Sequence, residues 1–166
     1  AINAWKQWAD AHTNDAGAAT ELGMLESAKG DQTKAMEYYK KALQIDPEQA
    51  VAANNLAYLM VENGQNTDVA LSLAQTARRT LPNAPSSADT LAWVYYYKGT
   101  YASARDLLED ALKTDPDNAS MQYHLGMIYT KLNDKPDAEL HLKKAVSLAP
   151  NTPTAKQAGD ALTHLG

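Results

Sequence analysis

Four histidines, a few clustered carboxylates and a set of asparagines and aromatic rings are the groups in this 166-residue chain that could do chemistry. His12, His124, His141 and His164 fall in different segments. No two stand at the i, i+4 spacing that lets one helix offer two imidazoles to a metal. The chain has no cysteine, which removes disulfides, thiolate metal sites and a thiol nucleophile. Asp106, Glu109 and Asp110 share one helical stretch and read as an ordinary solvated face. No G-x-S-x-G, H-E-x-x-H or phosphate-binding loop occurs. Catalysis, a metal centre and a cofactor are therefore not expected. What remains is recognition chemistry. The Asn55 amide can donate to and accept from a backbone amide at once. Trp93, Tyr96 and Tyr123 offer flat apolar area with polar handles. That mixture suits a peptide or a glycan.

Charge narrows the partner further. The formal net charge is -5, and Arg78-Arg79 is too short a run to make a basic face, so nucleic acid is not expected. No window approaches the roughly 18 apolar residues of a membrane span. Ala1-Ile2-Asn3-Ala4-Trp5 reads as the interior of a helix and not as a signal peptide, so the chain is expected to be a piece of a longer protein.

The elements that position these groups follow from a spacing of 34 or 35 residues. Leu22-Gly23, Leu56-Ala57, Leu91-Ala92 and Leu125-Gly126 open four copies of one pattern. Each is followed by an alanine (Ala35, Ala70, Ala104, Ala138), a second alanine (Ala42, Ala77, Ala111, Ala145) and a proline (Pro47, Pro82, Pro116, Pro150). Four helix–turn–helix units result, at 16–49, 50–84, 85–118 and 119–152, each with a helix A and a helix B. Gly30, Gly64, Gly99 or Asn133 suits a left-handed cap at the A–B turn. Asp31, Thr100 and Asp134 stand where they would N-cap helix B, and Pro136 falls in its first turn. Helix B should stop before the proline, because the preceding residue is pushed out of the α region. Residues 1–15 hold the second helix of a preceding half-repeat, with Ala4, Trp8 and Ala11 at helical spacing. Residues 153–166 form a capping helix with polar Lys156, Gln157 and Asp160 outward. Gly23, Ala57, Ala92 and Gly126 are expected to face Ala35, Ala70, Ala104 and Ala138, so that paired helices approach closely.

These residues resemble the tetratricopeptide repeat, whose signature is W-x2-L-G-x2-Y…A-x3-F…P. Unit three comes close with Leu91-Ala92, Tyr95, Gly99, Ala104, Leu108, Ala111 and Pro116. Unit one departs at the early tyrosine position, which holds Glu26, and unit two has Met60 there. The resemblance implies an all-α, right-handed α-solenoid that binds a protein or peptide partner without catalysis. It also implies a concave groove lined by helix A. On this chain the lining becomes Asn54, Asn55, Tyr58, Asp89, Trp93, Tyr96, Tyr97, Tyr123, His124 and Met127, together with Met24 and Lys131. Tyr95 and Tyr129 match the family's core position. The family's lysine-rich clamp for a C-terminal carboxylate falls on Thr20, Met24, Asn55, Ser86 and Thr90, where only the asparagine matches; such tails are disfavoured. A narrower similarity, carried by Asn54–Met60, Ala70–Ala74 and Ala88–Val94, is to bacterial repeat proteins of exopolysaccharide export and protein sorting. It implies a periplasmic or membrane-anchored setting, against a cytoplasmic one otherwise. Two alternatives stay open beside the scaffold: polysaccharide binding along the aromatic groove, and a spacer that forms homo-oligomers through its terminal helices.

Overall fold

A computed structural model of the chain describes residues 2–165 and contains helices and turns only among them. Ten helices follow in order: α1 (Ile2–Ala11), α2 (Ala16–Ala28), α3 (Gln32–Ile45), α4 (Ala50–Glu62), α5 (Thr67–Thr80), α6 (Pro85–Tyr97), α7 (Tyr101–Leu112), α8 (Ala119–Lys131), α9 (Lys135–Leu148) and α10 (Pro153–Leu165). They divide into two compact units, residues 1–90 and 91–166, and the division falls within α6.

Local chemistry sets most helix ends. Asp31 Oδ1 accepts from the Lys34 N–H at 3.1 Å, and Asp134 Oδ1 accepts from the Asp137 N–H at 3.3 Å. Each satisfies one of the orphan donors of a first turn. Thr100 does not cap α7: its hydroxyl lies 3.1 Å from the Tyr95 carbonyl and donates backwards into the preceding turn. Asp15, Gln49, Asn66 and Asn118 provide further side-chain caps, for α2, α4, α5 and α8. The A–B turns need one residue at positive φ, and Gly30 (86°), Gly64 (63°), Gly99 (78°) and Asn133 (60°) supply it. α5 and α9 end at Thr80 and Leu148, and the residue before each proline, Leu81 or Ala149, is the C-cap outside the α region. α7 stops earlier, at Leu112, and a Lys113–Thr114 turn fills the gap to Pro116.

In the 1–90 unit, α2 pairs with α3 and α4 with α5, α3 packs on α4, and α1 packs on α2. Its core is built largely from alanines with Leu22, Met36, Tyr39, Leu56 and Met60. In the 91–166 unit, α8 pairs with α9, α7 packs on α8, and α10 covers both α8 and α9. Its core joins Ala92, Leu108, Met121, Leu125 and Ile128, with a second cluster of Leu142, Ala145 and Ala158 under α10.

The close approach within two hairpins differs from the alanine pairing that the repeat pattern suggests. A Cβ placed on Gly23 would lie 2.4 Å from a ring carbon of Tyr39, and one on Gly126 would lie 2.6 Å from Leu142 Cγ. The glycine on helix A therefore receives a large residue from helix B, one turn beyond the expected alanine. Tyr39 thus packs within its own hairpin as well as reaching the next one. The Glu26 carboxylate, at the unmatched tyrosine position, is buried with Lys29 Nζ at 3.7 Å.

Candidate functional site

The expected groove residues resolve into two surfaces, one in each unit. The first is a cleft of about 440 Å3 lined by Met24, Asn54, Asn55, Tyr58 and Thr90, together with Ser27, Gln32 and Tyr39. Asn54 and Asn55 lie mid-helix on α4, and Tyr58 follows one turn later on the same face. All three are half-buried.

The Asn55 side chain is held from behind. Its Nδ2 donates to the Tyr39 hydroxyl at 3.3 Å, and its Oδ1 accepts from Asn54 Nδ2 at 3.3 Å. Tyr39 is itself 1% exposed, wedged over Gly23. Burial pushes its phenol above the ordinary value, while the Asn55 bond pulls it down and Glu21 pushes it up. The group is a neutral hydroxyl at physiological pH. Asn54 Oδ1 is buried and, among the described residues, has no hydrogen-bond partner. A buried carbonyl left this way costs about 1–3 kcal/mol. The cleft lining carries no charged side chain. Of the clamp positions, Thr20 is buried and donates its hydroxyl to the Ala16 carbonyl at 2.8 Å, and Thr90 is buried at the cleft wall. Asp89 is half-buried on α6.

The second surface is an aromatic cluster. The Trp93 indole is 3% exposed. It is stacked on Tyr96 at 4.5 Å and on His124 at 4.0 Å, with the edge of Tyr97 at 5.4 Å. The ring is thus covered on both faces, and it acts as core, not as a presented platform. His124, 1% exposed, is covered for the same reason. Tyr96 and Tyr123 are half-buried, and Tyr97 is the most open of the set at 42% exposure. Burial, then the neighbouring Tyr101 and Tyr123, push the Tyr96 phenol up, so it too stays neutral. Tyr123 and Met127 pack beside Leu142 and Ala158, which ties them to the core under α10. Lys131 is exposed. Tyr129 is core, and its hydroxyl donates to Glu109. Glu109 therefore does more than face water, because its carboxylate receives that phenol. His141 stacks on Tyr129 at 5.5 Å and its Nδ1 lies 2.6 Å from Gln122 Oε1. Among the described residues, no group of three or more His, Asp or Glu side chains is arranged to hold a metal ion. No described helix is long and apolar enough to cross a membrane.

Helix pairs with a small residue at the crossing, in-phase turns and a polar-faced last helix define a helical repeat protein. Comparison with known proteins agrees. A tetratricopeptide repeat family model matches residues 90–153, and a second TPR repeat model matches residues 23–64, together well over half of the chain. The chain belongs to the tetratricopeptide repeat family, an all-α solenoid class, and α10 is its terminal capping helix. It is 27% identical over 103 residues to a TPR repeat-containing protein of Pseudomonas aeruginosa, a match that covers 62% of this chain and spans 17% of that protein's length. Among solved structures it is similar to a thermophilic TPR protein of Thermus thermophilus, with TM-score 0.79, 22% identity, and 92% of this chain and 84% of that one covered. It is also similar to MamA of Desulfovibrio magneticus, with TM-score 0.72, 20% identity, and 89% and 82% covered. These likenesses establish the fold. Proteins of this fold generally act as protein–protein interaction scaffolds and not as enzymes. The similarity to exopolysaccharide-export proteins gains no support from these relatives.

Proposed function

We propose that this chain is a non-catalytic interaction module that binds a peptide segment or partner helix along its A-type helices. In the 1–90 unit the contact is amide pairing at Asn54 and Asn55 with Tyr58 beside them. In the 91–166 unit it is apolar contact on the open edges of Tyr96, Tyr97 and Tyr123. The observation that carries the reading is the Asn54 carbonyl oxygen, buried without a partner at an uncharged cleft. When the half-buried Asn54 amide turns this oxygen into the cleft, an incoming main-chain N–H offsets that cost, so the stabilisation appears on binding and not on folding. The absence of any cation from the lining disfavours a free C-terminal carboxylate and favours an internal segment.

A polysaccharide reading needs aromatic faces open to a sugar ring, and Trp93 offers none. The test is selection of binders from a random peptide display library, followed by affinity measurement on Asn55→Ala. Loss of about tenfold or more in affinity, with the fold intact, supports the site. Selected peptides that bind the variant as tightly as the parent chain discard it.

A further inference from the structure

Asn55 reaches the uncharged cleft from the middle of α4, but the group that holds it belongs to another helix. The Tyr39 hydroxyl, on α3 and 16 residues earlier in the chain, accepts from Asn55 Nδ2 at 3.3 Å. Asn54 Nδ2 donates to Asn55 Oδ1 at 3.3 Å. The carboxamide is thus engaged at its nitrogen and at its oxygen, and one hydrogen and one lone pair remain for a ligand. Tyr39 has no room to swing away: it is buried, and its ring lies so close over Gly23 that a Cβ there would come within 2.4 Å of it. A side chain ordered before a ligand arrives spares the ligand the cost of ordering it.

Among the repeats this clamp belongs to one junction. Residues 16 apart relate each helix B to the helix A that follows: Tyr39 to Asn55, Ala74 to Thr90, Leu108 to His124 and Leu142 to Ala158. Leu142 and Ala158 share a core cluster, as a junction requires. The side chains of Ala74, Leu108 and Leu142 have nothing that donates or accepts a hydrogen bond. Thr90, His124 and Ala158 are buried, whereas Asn55 is half-buried at the cleft wall. Of the four junctions, only that of Asn55 puts an amide at a cleft and a hydroxyl behind it.

We propose that Tyr39 is a positioning residue for the polypeptide cleft: its buried hydroxyl holds the Asn55 carboxamide in the attitude that receives the segment, so that α4 is where the segment's register is set. This rests on the reading of the Asn54–Asn55 cleft as a peptide site and adds the residue on which its recognition depends. Without the hydroxyl the Asn55 amide gains rotamers, and the arriving segment must immobilise one more side chain. That is worth about a three- to tenfold loss of affinity. The Tyr39 ring packs the hairpin and is not needed for this effect; the oxygen is.

The probe is a peptide taken from a random display library panned on the whole chain and chosen because Asn55→Ala weakens its binding. Its affinity is measured by titration calorimetry for the parent chain, Tyr39→Phe, Asn55→Ala and the double variant, each checked for a cooperative melting transition. Tyr39→Phe should weaken binding about three- to tenfold. The double variant should bind no more weakly than Asn55→Ala alone, because the hydroxyl acts only through that amide. In the free chain, the Asn55 side-chain amide hydrogens should exchange with water faster in Tyr39→Phe than in the parent, as read by NMR. A packing role alone would give additive losses and unchanged exchange. Full affinity in a folded Tyr39→Phe chain, or losses that add in the double variant, overturn the positioning role and leave the peptide site standing. If no selected peptide depends on Asn55, both fall.

Discussion

Alanine substitution at two glycines should move stability in opposite directions, and packing alone decides the sign. Gly126 and Gly159 both lie inside helices, α8 and α10. Alanine is favoured over glycine in a helix interior by about 1 kcal/mol. At Gly159 a new Cβ meets nothing within 4 Å, so that gain is kept. At Gly126 the new Cβ would sit 2.6 Å from Leu142 Cγ, 2.9 Å from its Cδ2 and 3.1 Å from its backbone nitrogen. Carbon atoms prefer roughly 3.5–4.0 Å, so α8 and α9 must separate or Leu142 must turn. Leu142 is 0% exposed and packed with Ala145 and Ala158, which leaves it no room to turn. Overpacking of this kind costs about 1–3 kcal/mol. With contacts under 3 Å to a fully buried Leu142 the upper part of that range applies, about 2–3 kcal/mol, and set against the helix gain Gly126→Ala should destabilise by about 1–2 kcal/mol. For a chain of this size that is a fall in Tm of about 2–8 °C, while Gly159→Ala should raise it by about 1–4 °C. Scanning calorimetry of both variants reads the result. A Gly126→Ala protein as stable as the parent, or shifts of the same sign at both sites, would refute the close approach on which the hairpins are built.

Replacing Asn54 with leucine removes an unsatisfied buried carbonyl, a cost of about 1–3 kcal/mol, and also the hydrogen bond its Nδ2 gives Asn55, worth about 0.5–1.5 kcal/mol, so stability in denaturant unfolding should rise by about 1 kcal/mol while binding of selected peptides is lost. A destabilised variant counts against the unpaired oxygen. Trp93→Ala should cost about 3–5 kcal/mol, because the stacked indole is core; a variant that unfolds like the parent contradicts its burial. Tyr39→Phe should cost about 0.5–1.5 kcal/mol through the lost acceptor for Asn55, seen as a lower urea midpoint. Burial holds the His141 imidazole below its usual value, and Lys144 pushes it the same way, while Asp137 and Glu109 pull it up. Its folded value thus lies under its unfolded one, so this contribution is complete above about pH 6.5 and fades as pH falls. The stability difference between the parent and His141→Gln should shrink on acidification; a difference that grows would reverse the sign.

Much of this was readable in the residues, and the reasons for the rest are specific. Asp31 and Asp134 cap their helices because a cap is a contact with residues three positions away, within reach of a local reading. Thr100 fits the same pattern, but its hydroxyl had a competing carbonyl at Tyr95, five residues back. The burial of Trp93 was not legible. The run Trp93-Val94-Tyr95-Tyr96-Tyr97 is apolar on every side, so periodicity cannot say which ring faces inward. The small residues at Gly23 and Gly126 announced a close crossing, but their partners, Tyr39 and Leu142, depend on the axial offset between two helices.

Asn54, Asn55 and Tyr58 are proposed to receive a polypeptide segment. The most direct measurement is an NMR titration of the labelled chain with a display-selected peptide, following the side-chain amide signals of both asparagines. These two signals should shift first and saturate together, with Tyr58 and Thr90 responding beside them. Shifts confined to α3 and α5, with the Asn54 and Asn55 amides unmoved at saturation, would contradict it.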